Sequence, residues 1–365
     1  MGIRLDGTTD TISAPGSDLN LGQSGDSVKV ASAVQLPTHG ELSERNLVVN
    51  GGMKVAQRGT VTGVGVDTYM ACDRWKNFAS AVGQAGRATA TQETITDLAG
   101  FDKALKMQVT TTETPASNEQ YGINTRLEQQ DIKGLGIGTS DAIPITLSFY
   151  AKAPSGSGVY CAGIVMSGGG HYFEEVNIGT SWARHEINIP ATTTSSHAST
   201  QSNDNVTGLE IQITLMAGSS TNGSTNGAWG SGQVNRATSN QTNFFSSTNN
   251  NIFVTGVQLE RGAQATPFEH RIFGDELRRC QRYYEIVRGG GGMYWGNGNT
   301  CGSATYKIEK RDTPSSVATN TIHYGYPSSS TWQAGNITKH GFTVQRSAST
   351  DYVIVDATWT VNAEL

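Results

Sequence analysis

Charge is scarce in this chain. Asp, Glu, Lys and Arg make up 16% of its 365 residues, against roughly 25% in average domains. Aromatic residues stand at 8% and the hydrophobic share at 36%. Those values are low for a globular protein yet above those of a disordered chain, so thin cores under much polar surface are expected. The formal net charge of -5 offers no long-range attraction to a phosphate backbone, and no local basic stripe appears, so nucleic acid is not an expected ligand. The chain has no run of roughly 18 apolar residues, and no membrane insertion is expected. Its four cysteines, Cys72, Cys161, Cys280 and Cys301, lie far apart with no CxxC pairing. That spacing excludes the common zinc and redox motifs and points to free thiols in a reducing cytosol. The opening Met1-Gly-Ile-Arg-Leu-Asp6 has neither the basic nor the apolar region of a signal peptide, so secretion is not the expected route out of a cell.

What replaces charge is Gly, Ser, Thr and Asn. The 44 glycines exceed the usual ~7%, a balance that suits close-packed strands and tight turns. At this length two or three domains are expected. Residues 1 to about 44 carry only short apolar clusters, such as Ile3 with Leu5 and Val28 with Val30. They cannot bury much alone, and a partner chain or larger structure is expected to cover them. From Asn46 the texture becomes alternating. Ile143, Ile145, Leu147, Phe149 and Ala151 share one face at period two, as do Leu209, Ile211, Ile213 and Leu215, which predicts half-buried strands. Phe253 to Leu259 is a third, with a bulge expected at Gly256. Two polar tracts, Thr192 to Asn205 and Gly218 to Asn251, read as long loops, where binding often sits. A helix is predicted over Gly274 to Val287, with Asp275 and Glu276 at its positive end, Leu277, Cys280, Tyr284 and Val287 as its apolar stripe and the glycine run Gly289 to Gly292 as its stop. Strands resume to the end, where Val353, Val355, Ala357, Trp359 and Val361 form the cleanest alternation and are expected at the centre of a small core.

Searching for chemistry gives little. The seven histidines never fall at the i, i+4 spacing of a helical metal site, and no GxSxG, HExxH or P-loop occurs. Glu174 with Glu175, or Glu128 with Asp131, could form a glycosidase pair in space, but 31 acidic residues supply such pairs by chance, and no catalytic residue is assigned. No cofactor is expected. Loops rich in Asp, Asn and Gly suit a hard cation such as calcium, although no EF-hand loop is present and no ligands are assigned. Among the six tryptophans, Trp75, Trp182 and Trp359 lie in apolar or strand-like contexts and are expected in the core. Trp229, Trp295 and Trp332 lie among Gly, Ser, Thr and Asn. Exposed aromatic faces stack on the C–H faces of sugars while neighbouring polar side chains bond hydroxyls. These three, with Tyr294, Tyr324 and Tyr326, are the candidate carbohydrate contacts. Packing under loops or at a subunit interface is the alternative for each.

One stretch resembles a known family. Asn46-Leu-Val-Val-Asn-Gly-Gly-Met53 continuing to Gln57-Arg-Gly59, then Tyr69 and Asp73-Arg-Trp75, then Thr146-Leu-Ser-Phe-Tyr-Ala-Lys152, Val257-Gln-Leu-Glu-Arg-Gly262, Ala265-Thr-Pro-Phe-Glu-His-Arg271 and Cys280-Gln-Arg-Tyr-Tyr-Glu285 follow in order over about 240 residues. Together they are similar to the bacteriophage tail-fibre and virion structural proteins that carry a carbohydrate-binding-module-like jelly roll. The resemblance implies a virion location after assembly in the host cytoplasm, a jelly roll and a homotrimer. The ending Thr358-Trp-Thr-Val-Asn-Ala-Glu-Leu365 looks like the last strand of similar fibre tips, a shorter match.

The expected architecture is therefore all-β. An extended attachment segment (1–44) would join other tail or head proteins of the virion. A jelly-roll β-sandwich (45–272), a connecting helix (273–287) and a small C-terminal β domain (288–365) would follow. The expected function is non-enzymatic attachment to a host surface polysaccharide or lipopolysaccharide. A polysaccharide depolymerase, or an architectural head or tail protein without host binding, are the alternatives.

Overall fold

The computed structural model describes residues 44–65, 67–79, 85–232, 235–294, 300–326, 332–346 and 352–365. The attachment segment expected over 1–44 lies outside them apart from Glu44. The described chain is all-β, with strands built by the alternation the sequence carries.

Twelve strands make a sandwich. β1 (Val61–Val64), β3 (Arg87–Thr94), β4 (Lys103–Thr111), β6 (Ile145–Ser155), β9 (Ala183–Ile189) and β12 (Asn251–Arg261) form the first sheet, in the order β1-β3-β4-β12-β6-β9. β2 (Trp75–Ala79), β5 (Gln120–Glu128), β7 (Gly158–Met166), β8 (His171–Ile178), β10 (Thr207–Ala217) and β11 (Ala228–Gly230) form the second, in the order β11-β8-β7-β10-β5-β2. All pairings are antiparallel. The chain passes between sheets so that β4-β12-β6-β9 faces β5-β10-β7-β8, which is the jelly-roll order. In β6, Ile145, Leu147, Phe149, Ala151 and Ala153 are buried, and in β10 Leu209, Ile211, Ile213 and Leu215 are. The apolar members of each period-two run fill the space between the sheets, and the polar members face out. Ile143 falls just ahead of its strand. At Gly256 the register of β12 against β6 shifts and φ is +61°, the bulge expected there.

The helix is shorter than its apolar stripe suggested. α1 (Gln129–Ile132) is a single turn, and α2 runs Phe273–Gln281, after which Tyr284 and Val287 already lie in β13 (Tyr284–Tyr294). The glycine run is not a helix stop but the middle of that strand. A Cβ on Gly290 would lie 2.0 Å from the Val355 carbonyl oxygen, so only glycine permits the close strand approach. β13 joins β14 (Thr300–Thr305), β15 (Ser316–Tyr326), β16 (Trp332–Gly335), β17 (Gly341–Arg346) and β18 (Tyr352–Asn362) in a third sheet ordered β15-β18-β13-β14-β17-β16. The sheet curls until its edge strands meet, where the Thr319 hydroxyl donates to the Trp332 carbonyl at 3.2 Å. β18 pairs on both sides, and Val355, Ala357, Trp359 and Val361 fill the enclosed core with Phe342 and Val344, as the alternation predicts.

A seam of buried charge holds this sheet to the sandwich. Glu364 is bonded by Arg58 at 3.0 Å and by Arg74, and Arg58 also faces Asp73 at 3.5 Å. The guanidinium of Arg58 lies 3.6 Å from the Tyr284 ring centroid and that of Arg74 3.5 Å from that of Tyr283, cation–π contacts strengthened by exclusion of water. Buried Glu128 accepts from Arg282 at 3.0 Å and from the Tyr283 hydroxyl at 2.5 Å. Behind it, Lys310 and Glu285 form a fully buried pair at 2.5 Å. Burial pulls the Lys310 amine below the usual lysine range, a pull only partly offset by Glu285. Asp73 and Arg74, and Glu269 with Arg271, are thus structural residues. Glu269 accepts from the Arg45 and Asn46 backbone N–H groups, and Arg271 donates to the Val48 carbonyl.

Candidate functional site

On the outer face of the second sheet, β10 and β5 place Glu210 directly opposite Arg126, and Gln212 opposite Asn124. Cross-strand neighbours of opposite charge stabilise one another at this spacing. Arg126 Nε donates to Glu210 Oε1 at 2.7 Å, while Gln212 Nε2 and Asn124 Nδ2 donate to Glu210 Oε2 at 2.6 and 3.1 Å. Burial pushes the Glu210 carboxyl up, but Arg126, Gln212, Arg236 and Asn124 outweigh it and hold it below the usual carboxylate range. Arg236 comes from the loop between β11 and β12. Its Nε donates to Gln212 Oε1 at 2.7 Å and its Nη1 to Gln120 Oε1 at 2.9 Å. Burial lowers its pKa, with Glu210 the opposing influence. The result is a continuous chain Arg236–Gln212–Glu210–Arg126. Asn124 Oδ1 beside it is buried without a partner.

This polar chain borders a cleft of about 450 Å³. Arg126, Glu210 and Arg236 supply charge, Val165, Met166 and Val206 an apolar lining, and Ser167, Thr207 and Gln201 hydroxyl and amide groups. The volume lies at the lower end of the roughly 300–1,000 Å³ of small-ligand sites, and the mixture of apolar surface and a few placed polar groups is their usual chemistry. Both polar tracts of the sequence contribute: Gln201 comes from the first and Arg236 from the second. The first tract packs tightly on the β7–β8 turn. The Ser167 and Ser199 hydroxyls are 2.5 Å apart, and a Cβ on Gly170 would lie 2.4 Å from the His197 Cα. The glycines of that turn let the loop close one side of the cleft.

The aromatic residues singled out in the sequence do not gather at one place. Trp229 is half-buried on β11, with its indole N–H donating to the Pro190 carbonyl at 2.8 Å. One ring face is stacked on His197, at 5.1 Å between centroids and 13° between planes, and its edge meets Tyr172. Trp332 is a correction. It is only 6% exposed and packs in the C-terminal core, because β16 closes the curled sheet and turns the indole inward; in this fold it presents no stacking face. Trp295 and the side chains of Tyr294, Tyr324 and Tyr326 lie outside the described residues; Tyr294 ends β13, and Tyr324 and Tyr326 lie in β15. Trp75 and Trp359 are core, but Trp182 is not. Its indole donates to Asp97 at 2.9 Å on the outer face of the first sheet, under Lys152 and edge-on to Phe253.

Of the carboxylate pairs considered for hydrolysis, Glu128 and Asp131 lie close enough to interact: burial, and then the charge of Glu128, raise the Asp131 carboxyl above its usual range. Glu174 and Glu175 are successive residues of β8 and go to different partners, Glu174 to Tyr172 and Glu175 to Thr238 and Asn240. Glu128 is occupied in the seam. Cys72, Cys161 and Cys280 are buried free thiols, with burial raising the pKa of each; the Cys301 side chain lies outside the described residues. Among the described residues, no three His, Cys, Asp or Glu side chains cluster as a metal site.

No family model matches the chain, and no curated protein matches it. Solved structures similar to it include the enzymatically active domain of tailspike protein 4 of bacteriophage CBA120, at 10% identity over 59% of this chain and 21% of that one, TM-score 0.30. This chain therefore spans about a fifth of that domain's length. The family 11 carbohydrate-binding module of a cellulosomal cellulase of Clostridium thermocellum is similar at 11% identity over 57% and 98%, TM-score 0.28. A putative sugar binding protein from Bacteroides thetaiotaomicron is similar at 13% over 60% and 100%, TM-score 0.32. At these values the likenesses stand beside the strand order and add nothing to it.

Proposed function

We propose that this protein is a non-enzymatic fibre or spike component of a bacteriophage particle that attaches to a bacterial surface glycan through the cleft on the second sheet. The observation that carries the binding part is the cleft itself, in which amide, hydroxyl and guanidinium groups converge over an apolar lining on the face of a jelly roll. Binding rather than hydrolysis is favoured by the number of acids: among the described residues Glu210 is the one carboxylate lining the cleft, where glycoside hydrolysis uses a pair. The particle location is supported by the ordered motif series from Asn46 to Glu285. A homotrimer, and attachment to other virion proteins through residues 1–44, complete the reading. Purified protein incubated with host surface polysaccharide should be retained by it and release no oligosaccharide. Reproducible release would overturn the non-enzymatic reading, and failure to be retained by any host glycan would overturn attachment. Deletion of residues 1–44 should abolish incorporation into particles; normal incorporation would refute their role.

A further inference from the structure

We infer that the ligand of this cleft is an acidic glycan, bound through a carboxylate or phosphate group. The inference rests on the glycan-binding reading above and names the class of sugar. It follows from a local imbalance of charge. Two guanidiniums, Arg126 and Arg236, border the cleft with a single carboxylate, Glu210, on a chain whose net charge is -5. Glu210 bonds Arg126 at 2.7 Å, whereas Arg236 donates to the neutral amide oxygens of Gln212 and Gln120 and lies 5.2 Å from the Phe78 ring centroid, with no carboxylate at ion-pair distance among the described residues. The neighbouring cation on the same face, Lys76, is answered by Asp67 at 3.4 Å, so the uncompensated charge belongs to the cleft. Arg126 uses Nε on Glu210 and Nη1 on the Leu365 main-chain oxygen at 2.8 Å. Among the described residues, the Nη2 group of each arginine has no hydrogen-bond partner. Arg236 is half-buried and feels Glu210 without pairing with it, and the lack of a paired acid is more costly there than at an open surface. A guanidinium fork fits the two oxygens of a carboxylate or phosphate. A neutral sugar would leave that charge unanswered.

The two anionic chemistries are separated by the probes. Purified full-length protein is applied to an array of bacterial surface polysaccharides in four states: untreated, carboxyl-reduced, dephosphorylated, and treated both ways. Binding should concentrate on acid-bearing glycans and weaken by on the order of ten- to a hundredfold once the relevant acid is removed, the range expected for hydrogen bonds to a charged group. Loss on carboxyl reduction identifies a uronic or related acid, and loss on dephosphorylation a phosphorylated sugar. Arg236→Gln should reproduce the loss, Arg236→Lys should restore part of it, and Lys106→Gln on the opposite sheet should bind as the parent does, with circular dichroism confirming the fold of each. Binding that survives both treatments unchanged, or that Arg236→Gln leaves intact, overturns the acidic-glycan inference while attachment to glycans stands. Retention of no glycan in any state overturns both.

Discussion

The seam and the cleft use the same residue types to opposite ends. In the seam, Arg58, Arg74, Arg282 and Lys310 each meet a carboxylate, and Asp73, Glu128, Glu285 and Glu364 are buried with them. Arg58 Nη1 and Arg74 Nε are buried there without a hydrogen-bond partner, yet each of these cations faces a carboxylate. In the cleft, Arg236 is given amides in place of an acid. Paired burial fixes how two parts of a chain dock, at little net gain over apolar packing. Incomplete pairing at the edge of a cavity leaves interaction energy for something from outside. On the proposed reading, unanswered charge rather than charge density marks where this protein binds.

The largest effect should come from unpairing the seam. Glu285→Gln leaves Lys310 buried without its acid and should cost about 3–5 kcal/mol of stability, measured by denaturant unfolding. Replacing both partners, with Glu285→Leu and Lys310→Met, should recover much of that loss. A Glu285→Gln variant as stable as the parent would remove the reason for separating seam from cleft. Trp332→Ala should cost a similar ~3–5 kcal/mol through the cavity it leaves in the C-terminal core, while the folded fraction still binds glycan. Lost binding at unchanged stability would make Trp332 a glycan contact.

Arg236→Gln should behave in the reverse way. Its binding loss should be on the order of tenfold or more, with a stability change of about 1 kcal/mol for the hydrogen bonds removed, read by calorimetry beside thermal unfolding. The smallest effect concerns pH. Glu210 and Glu269 both have carboxyls held below their usual range in the fold, against the pull of burial. Their contribution is therefore fully present above the ordinary carboxylate pKa of about 4.5 and lost as pH falls through the lower folded value. Melting temperature should be flat with respect to these groups at neutral pH and decline below about pH 4.5, and Glu210→Gln should shallow that decline.

What could be read from the chain beforehand divides along the same line. Period-two runs placed β6, β10 and β18, and Gly256 marked its bulge, because strand alternation and a left-handed glycine are local properties. The ordered motif words also carried structure: Arg58, Asp73, Arg74, Tyr283, Tyr284 and Glu285 converge in the seam. Helix length misled, because Leu277, Cys280, Tyr284 and Val287 satisfy a helical stripe across a point where the backbone has already turned into a strand. Sequence context also misjudged two tryptophans. Trp332 lies among polar residues yet is enclosed by a curled sheet, and Trp182 lies beside a strand yet bonds Asp97 at the surface. The cleft was legible only as two polar tracts with no residues attached. Arg126, Glu210 and Arg236 are far apart in sequence, and only the register of β10 on β5 sets the first two side by side. Knowing that pairing, the alternation of Glu210, Gln212 and Thr214 opposite Arg126, Asn124 and Gly122 would have revealed a polar outer face.

Hydrogen exchange of the protein, with and without a saturating bound glycan from its host surface, locates the binding site. Protection is expected around Ser167 to Gly170, Thr207 to Glu210 and Arg236, with the C-terminal sheet unchanged. Protection confined to β13 and β15 around Tyr294 and Tyr324, with the cleft exchanging as in the free protein, would contradict binding at the cleft.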